Sequence, residues 1–483
     1  MTGVASGDAA DLGVLEAAAM LRARKLSALE LTEACLSRAE SRNGGPPSFD
    51  GAPDAVNAWV RLYPDAARAD AREADRRLAA EGMDAPLVCG IPLALKDLYA
   101  LAGRPVTASS RVLDDGPAAA DAAVVARLRR DGMVVLGHTH THEFAAGGTT
   151  DQVGNPWDLS RVAGGSSGGS AAALATRMVP AALGTDTCGS LRIPSACCGT
   201  STIKPTHGRV SIEGIIPLAP SLDHPGPMAR TVADAAALLT VMATVPATSA
   251  LMPPPEPLAP LPLCASEERR PLEGRTVAVG APHPDFPWDP AVAAGFDEAQ
   301  RALVALGAHL VAAPLWSVDW DDLTTVLFTE MRTYHAQFTG RRDRYRPAIA
   351  EMLEAADAFT DAGAYIAAHQ QRARTTAARE GWFDEHGVDL LVEPTLAVVP
   401  PPRGDGYARG HAGGAGDPMI ALTAQWNMTG MPVVSLPVRW NVGVSLVAPR
   451  GHERVAIQAG IDLQARALGV PTWPEADRGS QTK

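Results

Sequence analysis

A helical stretch closed by a glycine and followed at once by an apolar strand is the pattern that most narrows what this chain can fold into. The segment DAAVVARLRRDG (121–132) spaces its apolar residues for a helix and stops at Gly132, and MVVLG (133–137) continues as an unbroken apolar run. That alternation builds an α/β sheet. The same logic applies to LVCGIPLALKDLY (87–99), an apolar strand that ends on the charged pair Lys96 and Asp97. Upstream, residues from Asp11 to about Arg42 show helical periodicity with Ser27 as a cap between two helices, and Pro64 to Glu81 forms a third. Downstream, RTVAVGAP reads as a strand, Asp289 to Leu306 as a helix and Pro347 to Glu380 as a helical pair. Val433 to Val438 and Val442 to Ala448 then read as strands, and about Glu453 to Leu468 as a helix. The expected organisation is one domain over 1–483, with a helical part at 1–82, a core at 87–245 and an α/β part at 273–475. Pro253, Pro254, Pro255, Pro257, Pro260 and Pro262 mark a surface connection at 246–272, since so many prolines suit neither a helix nor a central strand. The glycine-rich run Gly404 to Asp417 is a candidate mobile lid within 399–418.

Composition excludes several classes of function. With 54 acidic and 42 basic side chains the net charge is −12, which disfavours nucleic acid as a partner. No segment reaches the roughly 18 unbroken apolar residues needed to span a bilayer. The nearest, Ala235 to Met252, contains Pro246 and several hydroxyls and reads as a short buried helix capped by Thr231. The first residues carry Asp8 and Asp11 rather than a cationic start before an apolar stretch, so they do not read as a secretory leader. Six cysteines (Cys35, Cys89, Cys188, Cys197, Cys198 and Cys264) are few and irregularly spaced, which suits reduced thiols and a cytoplasmic location.

Three stretches stand out together: GIPLALKD with Lys96, GGSSGGS (164–170), and GTDTCGSLRIP (184–194) with Ser190. Singly, each has an ordinary reading. A lysine at a strand end is usually a solvated tip, and a Gly/Ser run is a linker or a phosphate nest, although no P-loop Lys-Ser/Thr pair follows this one. In combination they resemble the amidase signature family of Ser-Ser-Lys hydrolases. The resemblance runs from about Asp11 to Leu468 and is strongest from EFAAGGTTDQVGNPWDLSRVAGGSSGGSAAA through ALGTDTCGSLRIPSACCG to IKPTHGRVS and SLDHPGPMARTVADAA. Weaker similarity occurs at VDLLVEPTLAVVPPP and WNMTGMPVVSLPV.

The resemblance implies a large mixed, twisted sheet flanked by helices on both sides, and a catalytic set of Lys96, Ser166 and Ser190. Ser190 corresponds to the nucleophile. Ser166, preceded by a cis peptide bond from Gly165, would pass a proton between Ser190 and Lys96. Lys96 must be neutral to accept that proton, and burial in an apolar strand end lowers its pKa toward that state. Backbone N–H groups of Thr187, Cys188, Gly189 and Ser190 would hold the oxyanion. Cys188 stands where the family usually has glycine. Asp186 and Arg192 match positions that brace this turn, and Ser167 either joins the hydrogen-bond network or caps the helix that follows. No cofactor or metal is implied.

For the substrate, Trp316, Trp320, Phe328, Tyr334, Pro400 to Arg403, the 404–417 run and Trp426 suggest an apolar pocket with a cover. That favours a small, neutral amide, including aryl amides, or a carbamate (urethane), with esters as side substrates, handled by a monomer or homodimer. One alternative is a glutamine-hydrolysing amidotransferase subunit that passes ammonia to a partner protein. Another is a metal-dependent amidohydrolase using His138 and His140, because His138, His140 and His142 alternate and would share one face of a strand. The competing reading of those histidines is a polar strand face. Cys197 and Cys198 read as core packing, as do Met178, Met228, Met428 and Met431.

Overall fold

The computed structural model describes residues 8–113, 116–243, 255–404 and 417–472. Its strands, in chain order, are β1 (Trp59–Leu62), β2 (Pro92–Lys96), β3 (Val134–Thr139), β4 (Gly154–Asn155), β5 (Asp158–Val162), β6 (Ala181–Asp186), β7 (Ser201–Lys204), β8 (His224–Ala229), β9 (Thr276–Val279), β10 (His309–Ala312), β11 (Leu390–Pro394), β12 (Val433–Arg439) and β13 (Val442–Val447). Eleven of them form one mixed sheet in the order β1-β3-β2-β6-β8-β7-β12-β13-β11-β9-β10, and β4 pairs with β5 separately. Helices flank the sheet, and the α/β architecture implied by the sequence is the one observed.

Local signals explain much of the element placement. Ser27 and Glu30 form a reciprocal capping box at the start of helix Ala28–Arg42. Pro64 occupies the first turn of helix Pro64–Glu81, where its missing N–H costs nothing. The Thr231 hydroxyl accepts from Asp234 N–H and opens helix Val232–Met242. Most central strands are buried throughout their length, as continuous apolar runs require when both faces are covered. Periodicity did not reveal helix Trp320–His335, whose aromatic residues read as pocket lining; Asp319 caps it by accepting from Asp321 and Asp322 N–H. Strand β1 was likewise not evident in the sequence. The run 405–416, and with it the candidate lid, lies outside the described residues, as does 244–254 of the proline-rich connection. Cys264 is exposed, unlike the other five cysteines. No helix among the described residues is long and apolar enough to cross a membrane.

Strand direction places the site. Strands β2 and β6 run parallel, with Leu93 opposite Ala181, so their carboxyl ends lie at the same edge of the sheet. Strand β8 runs antiparallel to β6 with His224 opposite Asp186, so its beginning reaches that edge too. Lys96, the turn after Asp186, and Asp223 therefore arrive together from three neighbouring strands.

Candidate active site

Lys96 is the last residue of β2 and is fully buried. Its Nζ donates to Ser166 Oγ at 2.7 Å and to Thr185 Oγ1 at 2.9 Å. Burial strips water from the ammonium and lowers its pKa to about 7, against the upward pull of Asp223 and Asp186. A buried lysine poised between its two protonation states, with a serine hydroxyl at hydrogen-bond distance, can exchange a proton with that serine.

Ser166 is held from several sides. The Gly165–Ser166 peptide bond is cis. The Ser166 carbonyl accepts from His142 N–H at 3.0 Å and from Thr150 Oγ1 at 3.2 Å. Gly165 lies so close to the neighbouring chain that a Cβ there would stand 2.0 Å from the Thr149 carbonyl oxygen, so only glycine fits. Ser167 occupies the cap position of helix Gly168–Ala175, but its hydroxyl does not cap it. The hydroxyl donates instead to Thr185 O at 3.2 Å, and Ser167 N–H donates to Ser190 O at 3.3 Å. Ser167 thus ties the segment bearing Ser166 to the turn bearing Ser190.

The turn from Asp186 to Ser190 is anchored by a buried ion pair. Arg192 Nε and Nη2 donate to the two oxygens of Asp186, each at 2.9 Å, and both side chains are inaccessible to solvent. Asp186 also accepts from Gly189 N–H at 2.8 Å, Leu191 N–H at 3.2 Å and Asn427 Nδ2 at 2.7 Å. Burial raises the carboxyl pKa, but Arg192, Lys204 and these donors outweigh it and hold Asp186 at about 2. Of the four backbone donors expected for an oxyanion, Gly189 N–H is therefore already committed to Asp186. This leaves Thr187, Cys188 and Ser190, because the tight turn directs the glycine amide inward. Gly189 has φ +134°, and a Cβ there would meet Thr423 Oγ1 at 2.3 Å. Ser190 is buried at the mouth of helix Arg192–Cys198.

Cys188 faces apolar surroundings. It belongs to a buried cluster with Ala219, Leu222, Leu323, Val326 and Met428, against which Trp320 and Ile420 also pack. Burial pushes its thiol pKa up, so it behaves as a small apolar side chain. On the Ser166 side, Phe144 packs with Tyr334, His335, Phe338 and Tyr345. Helix Trp320–His335 contributes to both apolar walls.

Not every residue expected at the pocket lies there. Trp316 and Trp426 pack against each other with Trp382 and Phe383; Trp426 is fully buried core, and Trp316 packs partly buried against it. Phe328 packs edge-on against Phe359. Pro400 and Pro401 are tied to β5 through Arg161 Nη1 at 2.6 Å and Val162 N–H at 2.9 Å. The three histidines are not assembled as ligands. His138 bonds Tyr63 OH and Tyr99 O, while His140 bonds Ser48 O, Ser109 Oγ and Gln152 Nε2. His142 Nδ1 lies 3.4 Å from Glu143 O. Burial lowers all three pKa values, and no group of three metal-ligating side chains occurs among the described residues. Thr185, Asp223, Thr423 and Asn427 support the site without having been singled out; Asn427 lies 241 residues from Asp186, in the WNMTGMPVVSLPV stretch of weaker family similarity.

Comparison with known proteins shows the family of the chain. The profile of the family described as Amidase matches residues 30–456. A glutamyl-tRNA(Gln) amidotransferase subunit from Chloroflexus aggregans is 35% identical, with 93% of this chain and 95% of that protein aligned. Among solved structures, 6-aminohexanoate cyclic dimer hydrolase superposes with a TM-score of 0.81 at 28% identity, covering 96% of this chain and 98% of that one. The peptide amidase of Stenotrophomonas maltophilia gives 0.78 at 26% identity with the same coverage.

Proposed function

Because this chain belongs to the amidase family, we propose that it hydrolyses the C–N bond of neutral, apolar amides and carbamates through a covalent acyl-enzyme on Ser190. The observation that carries the mechanism is the 2.7 Å contact between a desolvated Lys96 and Ser166. Neutral Lys96 takes the Ser166 proton as Ser166 takes that of Ser190, and Ser190 Oγ attacks the carbonyl carbon. The resulting oxyanion is met by the N–H groups of Thr187, Cys188 and Ser190, worth roughly 3 kcal/mol per donor in comparable sites. As the C–N bond breaks, the proton returns from Lys96 through Ser166 to the departing nitrogen. Water then enters by the same relay and releases the acid. Asp186 and Arg192 hold the turn but do not touch substrate.

The apolar wall around Cys188, with Leu222, Met428, Trp320 and Ile420, supports an uncharged acyl group, since a buried charge would need a partner there. Esters of similar shape are expected side substrates. The enzyme is expected to act in the cytoplasm, as a monomer or homodimer, without a cofactor. A second reading, a glutamine-hydrolysing subunit working with a partner protein, is favoured by the name of the Chloroflexus relative. The test is a panel of p-nitroanilide, aryl carbamate, ester and glutamine substrates on purified protein, with Ser190→Ala as control. Turnover of the apolar substrates, lost in Ser190→Ala, is the expected result. Release of ammonia from glutamine alone would overturn the apolar assignment.

A further inference from the structure

We propose that Asp223 is a positioning residue for the oxyanion turn, acting through the hydroxyl of Thr187. The proposal rests on the acyl-enzyme reading above. Asp223 lies just before β8, at the sheet edge where β6 delivers the turn. Its carboxyl is enclosed by donors: Thr187 Oγ1 at 2.6 Å and Ala219 N–H at 3.3 Å on Oδ1, and Leu218 N–H at 3.0 Å on Oδ2. Thr187 is the first residue of the turn. With its β-branched side chain fixed by this bond, its backbone N–H is fixed as well. Asp186 holds the same turn through Gly189 and Leu191 N–H, so two carboxyl groups, Asp186 and Asp223, clamp it.

The loop that carries Asp223 is itself anchored. Ser221 N–H donates to Glu330 Oε2 at 2.9 Å, and Tyr365 OH donates to Glu330 Oε1 at 2.7 Å. Glu330 lies on helix Trp320–His335 and Tyr365 on helix Ala362–Glu385, the two helices that build the apolar wall. A continuous path therefore runs from the wall that meets the acyl group, through Glu330, Ser221, Asp223 and Thr187, to the donors that meet the oxyanion. Substrates that fill the wall are held against a turn whose geometry the same helices set.

The experiment compares kcat and KM for Thr187→Val, Thr187→Ser, Asp223→Asn and Glu330→Gln on a p-nitroanilide substrate, with thermal unfolding as a folding check. Thr187→Val keeps the shape of the side chain and loses the hydroxyl; it should lower kcat about 10- to 100-fold with KM within about 3-fold. Thr187→Ser restores the hydroxyl and should recover activity to within about 3-fold of wild type. Asp223→Asn keeps an oxygen that accepts from Thr187 Oγ1 but sets an NH2 against Leu218 N–H, so it should lower kcat less than Thr187→Val does, and Glu330→Gln should likewise show a smaller fall in kcat. Folded Thr187→Val with wild-type kcat would overturn the proposal, as would a loss in Thr187→Val that Thr187→Ser does not rescue. If Asp223→Asn fails to fold, the threonine pair decides alone. Ser190→Ala is assayed alongside: retained turnover there would refute the acyl-enzyme reading itself, independently of the Thr187 result.

Discussion

Titrating kcat/KM from pH 5.5 to 9 reads the protonation state of Lys96, and the structure sets where the change should fall. An amine at the ordinary value of 10.5 is neutral at pH 7 in about one molecule in 3,000, whereas one lowered to about 7 is neutral in about half. Desolvation therefore raises the population of competent base on the order of 10³-fold. Asp223 and Asp186 pull the Lys96 pKa up, and burial raises the Asp223 carboxyl itself to about 7, so Asp223→Asn, which removes that second titration, should leave the inflection near 7 in place. The expected profile on a p-nitroanilide, whose own ionisation is constant over this range, falls tenfold per pH unit below about 7 and levels above it. The same shift has a stability consequence. The folded-state pKa lies below the unfolded one, so the protonated amine costs folding free energy, fully below about pH 7 and progressively less up to about 10.5. At 1.36 kcal/mol per unit this is on the order of 5 kcal/mol, of which the bonds to Ser166 and Thr185 return part. Lys96→Met should therefore abolish turnover yet raise the urea midpoint at pH 6. A flat activity profile from pH 6 to 9, or an inflection near 10, would refute the reasoning.

Other perturbations test separate parts of the account. Ser166→Ala should reduce kcat by roughly 10²- to 10⁴-fold with the fold intact, read by steady-state kinetics and circular dichroism. Arg192→Met strands the buried Asp186 carboxylate and should cost about 3–5 kcal/mol in urea unfolding. In the wild-type protein Asp186, held at about 2, contributes stability above its unfolded value of 3.8 that is lost as pH falls toward 2, measurable as acid unfolding in that window. Gly189→Ala places a methyl 2.3 Å from Thr423 Oγ1 at a φ of +134° and should lose activity through displacement of the turn. Prolonged EDTA treatment should leave turnover unchanged, since His138, His140 and His142 each have separate hydrogen-bond partners.

The central set was legible in the sequence because each member sits in a short stretch with a local peculiarity: Lys96 ends an apolar strand, Ser166 lies among four glycines, and Ser190 follows Asp186 and Gly189 in a tight turn. Helices with terminal signals, such as Pro64–Glu81 behind its proline, were equally legible. What was not legible depends on distance along the chain. Asp223 meets Thr187 only because β8 runs antiparallel to β6, and Asn427 reaches Asp186 across 241 residues. Aromatic content also misled: Trp426 carries the same local chemistry as Trp320, yet packing buries it fully, while Trp320 packs partly buried against the cluster that holds Cys188. Gly189 N–H was expected to face substrate, and only the fold shows it turned toward Asp186.

The claim on which the rest depends is that Ser190 forms a bond to the acyl carbon. Acid-quenching the enzyme during turnover of an aryl carbamate, followed by digestion and mass spectrometry, measures this directly. The account predicts one added carbamoyl group on the peptide containing Ser190, absent in Ser190→Ala. The same group on Ser166 or Cys188 instead, or sustained turnover by Ser190→Ala, would contradict it.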